Sequence, residues 1–131
     1  MTRILVTGAT GTTGQYIFDT LSLRTDVEVK GASRQGHPYG YSQLVHFDYN
    51  DRSSIQASLD GIDKVFLVTP FTANMFEMES RVIEEIGRSG VRQVVKLSIA
   101  GADAAQPNAL AKVHRQLEQA LEQTGKSITV L

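Results

Sequence analysis

The stretch Ile4-Leu5-Val6-Thr7-Gly8-Ala9-Thr10-Gly11-Thr12-Thr13-Gly14 constrains this chain more than any other. A short apolar run meets three glycines in the spacing G-x-x-G-x-x-G, and a helical pattern with Ile17, Phe18 and Leu21 on one face follows directly. Each glycine has a physical task in such a join. Gly8 allows the tight turn, Gly11 lets the backbone approach an anionic group, and Gly14 lets the helix pack close to the strand. The free N–H groups at the helix start, near Thr12 and Thr13, then face a ligand along a favourable dipole. The pattern predicts a pyrophosphate-binding turn between a strand and a helix. A Walker-type phosphate loop is excluded because no Gly-Lys-Ser/Thr follows.

The rest of the chain alternates apolar runs with helical patterns, the sign of βαβ units and a mainly parallel sheet. Strands are expected at Arg3–Val6, Val27–Ala32, Gln43–Phe47, Lys64–Val68, Gln93–Leu97 and Ser127–Leu131. Apolar stripes mark helices between them. Met75, Met78, Val82 and Ile86 form one; Leu110, Val113, Leu117 and Leu121 form the last. Asp51 is placed to cap a short helix over Asp51–Leu59. Gly61, Gly90 and Gly125 each follow a helix, where a residue able to take positive φ would close its end.

Composition narrows the function classes. At 131 residues the chain holds one domain, spanning 1–131, with 41% apolar and 21% charged residues and a net charge of −1. That charge gives no field to attract nucleic acid or anionic lipid. There are no cysteines, so thiolate metal sites and cysteine nucleophiles are ruled out, and His37, His46 and His114 are too scattered for a metal cluster. The N-terminus reads as neither a signal peptide nor a membrane span, which makes the cytoplasm the expected location. The chain stops within the β pattern Ser127-Ile128-Thr129-Val130-Leu131, as a truncated product would, and an unpaired final strand could recruit a second copy into a homodimer.

The glycine spacing, preceded by Val-Thr and containing Ala-Thr, resembles the extended and atypical short-chain dehydrogenase/reductase superfamily. More narrowly, the chain is similar to the NmrA-like group of NADPH-dependent quinone and triphenylmethane-dye reductases and NADP-sensing regulators. Ser33-Arg34, Phe47-Asp48-Tyr49, Val95-Lys96-Leu97-Ser98 and the pair His114 and Glu118 carry the likeness along the chain. The resemblance implies a Rossmann-type α/β fold, a doubly wound parallel sheet in three α/β/α layers. It implies a cofactor site drawn from Gly8, Thr10, Gly11, Thr12, Thr13, Gly14, Ser33, Arg34, Asp48, Thr69, Pro70 and Ser98, with Asp48 near the adenine amino group. Asp48 also fits a plain turn or capping role in Asp48-Tyr49-Asn50-Asp51. It further implies a smaller substrate-binding region beyond the last strand, the part that truncation is expected to have removed here.

Two residues choose the dinucleotide. An NAD site carries Asp or Glu at the end of its second strand to accept from the ribose 2′-hydroxyl. Here that position reads Ser33-Arg34, where a guanidinium and a hydroxyl suit a 2′-phosphate, so NADP is expected over NAD. Catalysis is less well provided for. Many short-chain dehydrogenases use a Tyr-x-x-x-Lys pair, and alignment by distance from Ser98 puts Leu110 at the tyrosine position and His114 at the lysine position. The tyrosines at 16, 39, 41 and 49 cannot supply that acid, which disfavours ketone chemistry and a sugar-nucleotide epimerase. His114 lies on the face of Leu110, Leu117 and Leu121, where it is equally suited to packing and to proton donation, while Lys112 falls on the solvated face. The expectation is hydride transfer from NADPH to a small-molecule acceptor, quinone-like or conjugated, with His114 as an optional proton donor. A non-enzymatic NADP sensor is the alternative.

Overall fold

The computed structural model describes residues 1–35, 43–69, 72–97 and 109–131. Strands β1 (Thr2–Val6), β2 (Val27–Ser33), β3 (Leu44–His46), β4 (Lys64–Leu67), β5 (Gln93–Lys96) and β6 (Ser127–Val130) form one sheet. Its order is β3-β2-β1-β4-β5-β6 and every pairing is parallel. Helices α1 (Thr12–Ser22), α2 (Arg52–Leu59), α3 (Met75–Arg88) and α4 (Ala109–Glu122) make the crossovers that follow β1, β3, β4 and β5. The order reverses at β1, so β1 sends its chain one way and β4 the other. That switch point opens a crevice at the carboxyl ends of β1, β2 and β4, where open α/β sheets hold ligands.

Period-two alternation divides each inner strand between two cores. Leu5, Val65, Leu67 and Val94 face the layer of α2, α3 and α4, packing on Ile55, Val82, Ile86, Leu117 and Leu121. Val6, Val29 and Leu44 face the opposite way, toward Phe18 of α1 and Ala9. Gly31 on β2 belongs to this second core. A Cβ there would come within 2.7 Å of Leu44 and 2.8 Å of Ala9.

The expected strands recur with ends shifted by a residue or so. Asp51 caps α2, its carboxylate accepting from the Ser53 N–H at 3.1 Å. Gly61 and Gly125 take positive φ, at 72° and 75°, but Gly90 does not. After α3 the work expected of Gly90 falls to Ser89, whose hydroxyl donates to the Ile86 carbonyl at 2.7 Å and accepts from the Val91 N–H at 3.2 Å. A serine that satisfies the open helix end removes the need for a left-handed residue. Among the described residues no helix is long and apolar enough to cross a membrane.

Candidate dinucleotide site

The turn after β1 is held from both sides. Gly8 has φ 63°, a conformation that only glycine adopts at little cost. The Gly11 N–H donates to the Gly8 carbonyl at 3.0 Å, and the Gln15 N–H to the Gly11 carbonyl at 2.8 Å. A Cβ on Gly14 would collide with the Gly8 carbonyl oxygen, so helix and turn lie in direct backbone contact. At Gly11 an added Cβ would meet, among the described residues, only that oxygen, at 3.4 Å. The tight approach is therefore made by Gly14, while Gly11 leaves its outer side open. Helix α1 has no side-chain cap and no acidic residue in its first turn. Its first N–H groups lack intrahelical acceptors and carry the positive end of the dipole, the arrangement a pyrophosphate requires.

Thr7 anchors this turn to the neighbouring strand. It is fully buried, its hydroxyl donates to the Val68 carbonyl and accepts from the Val68 N–H, both at 2.8 Å, and its own N–H reaches the Phe66 carbonyl at 3.0 Å. The ends of β1 and β4 are thus fixed together across the switch point.

Beside the turn lies a cleft of about 300 Å³ lined by Gly8, Thr10, Ala32, Ser33, Arg34, Gln35, Phe47 and Tyr49. Ser33 is buried and its Oγ accepts from the Gln35 N–H at 3.2 Å, which leaves the hydroxyl proton available to a ligand. The ring of His46 donates from Nδ1 to the Arg34 carbonyl at 2.9 Å, steadying the residue's backbone. The Arg34 side chain is exposed, and among the described residues its guanidinium has no carboxylate partner. Phe47 and Tyr49 meet edge to face, ring centroids 5.2 Å apart, and make the apolar wall of the cleft. A larger cavity of about 650 Å³ lies at the amino end of the sheet, against Gly61 and Glu85, away from the switch point.

The structure brings Gly8, Thr10, Ser33 and Arg34 together in one cleft, with Gly11, Thr12, Thr13 and Gly14 adjoining it. Asp48 does not line it. Its Oδ1 accepts from the Asn50 N–H at 2.9 Å, the turn-forming role that its sequence setting also allows. Pro70 and Ser98 lie outside the described residues.

Thr69, just past β4, opens a second polar region. Its Oγ1 is buried without a well-aligned hydrogen bond among the described residues, although it lies close enough to Tyr49 and Glu79 to favour the ionised form of each. Burial nevertheless pushes the Tyr49 phenol up to about 12. Burial also raises the Glu79 carboxyl, and the ammonium of Lys96 offsets part of that rise. Lys96 Nζ lies 3.0 and 3.1 Å from the two Glu79 carboxylate oxygens and 3.2 Å from His114 Nδ1. All three residues are buried. His114 therefore sits on the inward stripe of α4, its pKa lowered by burial and by Lys96, while Lys112 is exposed as expected.

Sequence reasoning did not single out Thr7, Tyr49, Glu79 or Lys96 for the site. A signal existed for the last two: Glu79 stands four residues after Met75 and Lys96 two after Val94, each in step with a buried neighbour.

Residues 8–131 match a family whose members are described as NAD(P)H-binding. The chain is 31% identical over 127 residues to the (4-alkanoyl-5-oxo-2,5-dihydrofuran-3-yl)methyl phosphate reductase of Streptomyces griseus, covering 93% of this chain and 44% of that protein. It is 26% identical over 140 residues to quinone oxidoreductase 2 of Escherichia coli, covering 98% and 47%. Among solved structures, the triphenylmethane reductase of Citrobacter sp. complexed with NADP(H) superposes with a TM-score of 0.85 at 24% identity, over 98% of this chain and 48% of that one. The chain thus spans about half the length of the relatives it matches.

Proposed function

The chain belongs to the NAD(P)H-binding family, and from that premise we propose that it holds NADPH in preference to NADH and serves hydride transfer to a quinone-like or otherwise conjugated small molecule. The observation that carries the cofactor choice is Arg34 beside Ser33 at the end of β2: an exposed guanidinium and a buried hydroxyl line the cleft where an NAD site would carry a carboxylate. A ribose 2′-phosphate would gain charge-assisted bonds from both, and a 2′-hydroxyl would gain far less. The first turn of α1 would take the pyrophosphate, and Phe47 and Tyr49 would flank the adenosine half. The poorly partnered hydroxyl of Thr69 would meet the nicotinamide half.

A bound nicotinamide dinucleotide supplies the hydride. The chain's own part is to position it: the Gly8–Gly14 contact sets the turn, Thr7 locks β1 to β4, and Thr69 presents a donor and an acceptor at the carboxyl end of the sheet. An acceptor that delocalises the incoming charge needs no enzyme tyrosine, in keeping with Leu110 at the position where many short-chain dehydrogenases carry one. The names of the Escherichia coli and Streptomyces relatives, a quinone oxidoreductase and a reductase, support this acceptor class.

The test is titration of the chain with NADPH and NADH, followed by NADPH oxidation in the presence of a soluble quinone. An NADPH preference of at least tenfold that collapses in Arg34→Ala is expected; equal affinities in the unaltered chain would overturn the cofactor assignment. A second reading, a non-enzymatic NADP-binding regulator, is favoured by the burial of His114 in the α4 core. Tight NADPH binding with no quinone-dependent oxidation would select it.

A further inference from the structure

Lys96 closes β5 in register with Leu67 and Val130, and its side chain leaves the sheet on the Val94 face, between α3 and α4. It is 0% exposed. An ammonium group has three N–H donors and no acceptor. Among the described residues three acceptors surround this one: the two Glu79 oxygens and His114 Nδ1, at 3.0, 3.1 and 3.2 Å. Donors and acceptors therefore match one to one. Two carboxylate oxygens that both accept belong to an ionised Glu79, and a ring nitrogen that accepts carries no proton. An imidazole accepting at Nδ1 is neutral and bears its hydrogen on Nε2.

We infer that Lys96 is a positioning residue that fixes His114 as the neutral Nε2–H tautomer, making the ring a constant hydrogen-bond donor and withdrawing it as a source of protons near neutral pH. Among the described residues the charged groups around the ring come from three elements. Lys96 of β5 touches it, Glu79 of α3 lies behind the lysine, and Glu118 is on the same helix, one turn on and 3.7 Å from Arg115. Burial and the lysine oppose protonation of the ring, and Glu118 favours it. The lysine decides the matter because it contacts Nδ1 with a group that can only donate. This assignment rests on the network itself and holds whichever dinucleotide the chain binds.

Long-range proton–nitrogen correlation spectra of the cofactor-free, histidine-labelled chain test it, with His114 identified by the signal missing from His114→Gln. Nδ1 should resonate as an unprotonated and Nε2 as a protonated ring nitrogen, and this pattern should persist below pH about 6.5, where an ordinary histidine is half protonated. In Lys96→Met the two tautomers should mix. Half-protonation should move up by at least one pH unit, because the cation that opposes protonation is then gone while Glu118 still favours it. If that variant does not fold, Lys96→Met with Glu79→Gln removes both charges and should show the same mixing. A protonated Nδ1 in the unaltered chain, or an unchanged Nε2–H tautomer in whichever of the two variants folds, would overturn the inference. A lysine with a purely structural role would leave the tautomer untouched.

Discussion

Replacing Gly14 by alanine pits two effects of known sign against each other. In a helix, alanine is favoured over glycine by up to about 1 kcal/mol, so the substitution on its own should stabilise α1. The structure opposes it: the new Cβ would lie 2.5 Å from the Gly8 carbonyl carbon and 3.1 Å from the Ala9 nitrogen, and would overlap the Gly8 carbonyl oxygen. These are backbone atoms in a turn held by hydrogen bonds, so relief requires helix and turn to part by roughly 1 Å, an overpacking cost of about 3 kcal/mol. The net expectation is a loss of about 2 kcal/mol, or about 1 M in urea midpoint for a domain of this size. Gly87 supplies the control. It also lies in a helix, α3, but its added Cβ would meet only Thr124, at 3.6 Å. Gly87→Ala should therefore raise stability by about 0.5–1 kcal/mol. Urea unfolding of the two variants beside the unaltered chain reads the contrast directly. Displacement of the turn should also weaken NADPH binding at least tenfold in Gly14→Ala and leave it unchanged in Gly87→Ala. If both substitutions stabilise alike, the close packing assigned to Gly14 is wrong.

Three other outcomes are expected. Removing Lys96 alone, as Lys96→Met, leaves Glu79 charged and buried, a loss of about 3–5 kcal/mol, whereas Lys96→Met combined with Glu79→Leu should recover more than half of it in thermal unfolding. The Tyr49 phenol, pushed up to about 12 by burial, ionises in the unfolded chain from about pH 10 but not in the folded one, so between those values the unfolded state binds fewer protons and stability falls as pH rises. Tyr49→Phe should flatten that alkaline decline. For His114, whose pKa is lowered on folding, the unfolded chain takes up the proton first, so stability should fall as pH drops below about 6.5, and His114→Gln should remove this part of the acid limb.

What the sequence made legible was whatever depends on local order. The glycine turn needs three residues at fixed spacing, and Gly8 and Gly14 do what that spacing predicts. The strands announce themselves by apolar runs, and Arg34 by its position after β2. The misses have a common origin in partners far apart along the chain. Thr7 reads as an ordinary residue of a Val-Thr-Gly turn until Val68, sixty-one positions on, both accepts from its hydroxyl and donates to it. Gly31 reads as a weak point in a strand until Leu44 and Ala9 are brought against it. Lys96 and Glu79 each look solvated alone, because a charge in an amphipathic pattern is normally the exposed side; only their pairing makes burial affordable. Gly90 failed in the opposite sense, since a local rule that holds after α2 and α4 was met after α3 by the hydroxyl of Ser89.

The enclosure of Lys96 also makes it a timer. Among the five lysines of the chain it is fully buried, with every donor engaged, whereas Lys112 stands in solvent. An amine-directed acylating reagent can reach its nitrogen only when β5 has parted from α3 and α4 and the ion pair with Glu79 has opened. In a brief labelling pulse read by peptide mass spectrometry, Lys112 would be modified at once and would mark the dose. Modification of Lys96 would then count the excursions in which this half of the molecule comes apart, a rate that equilibrium unfolding does not report.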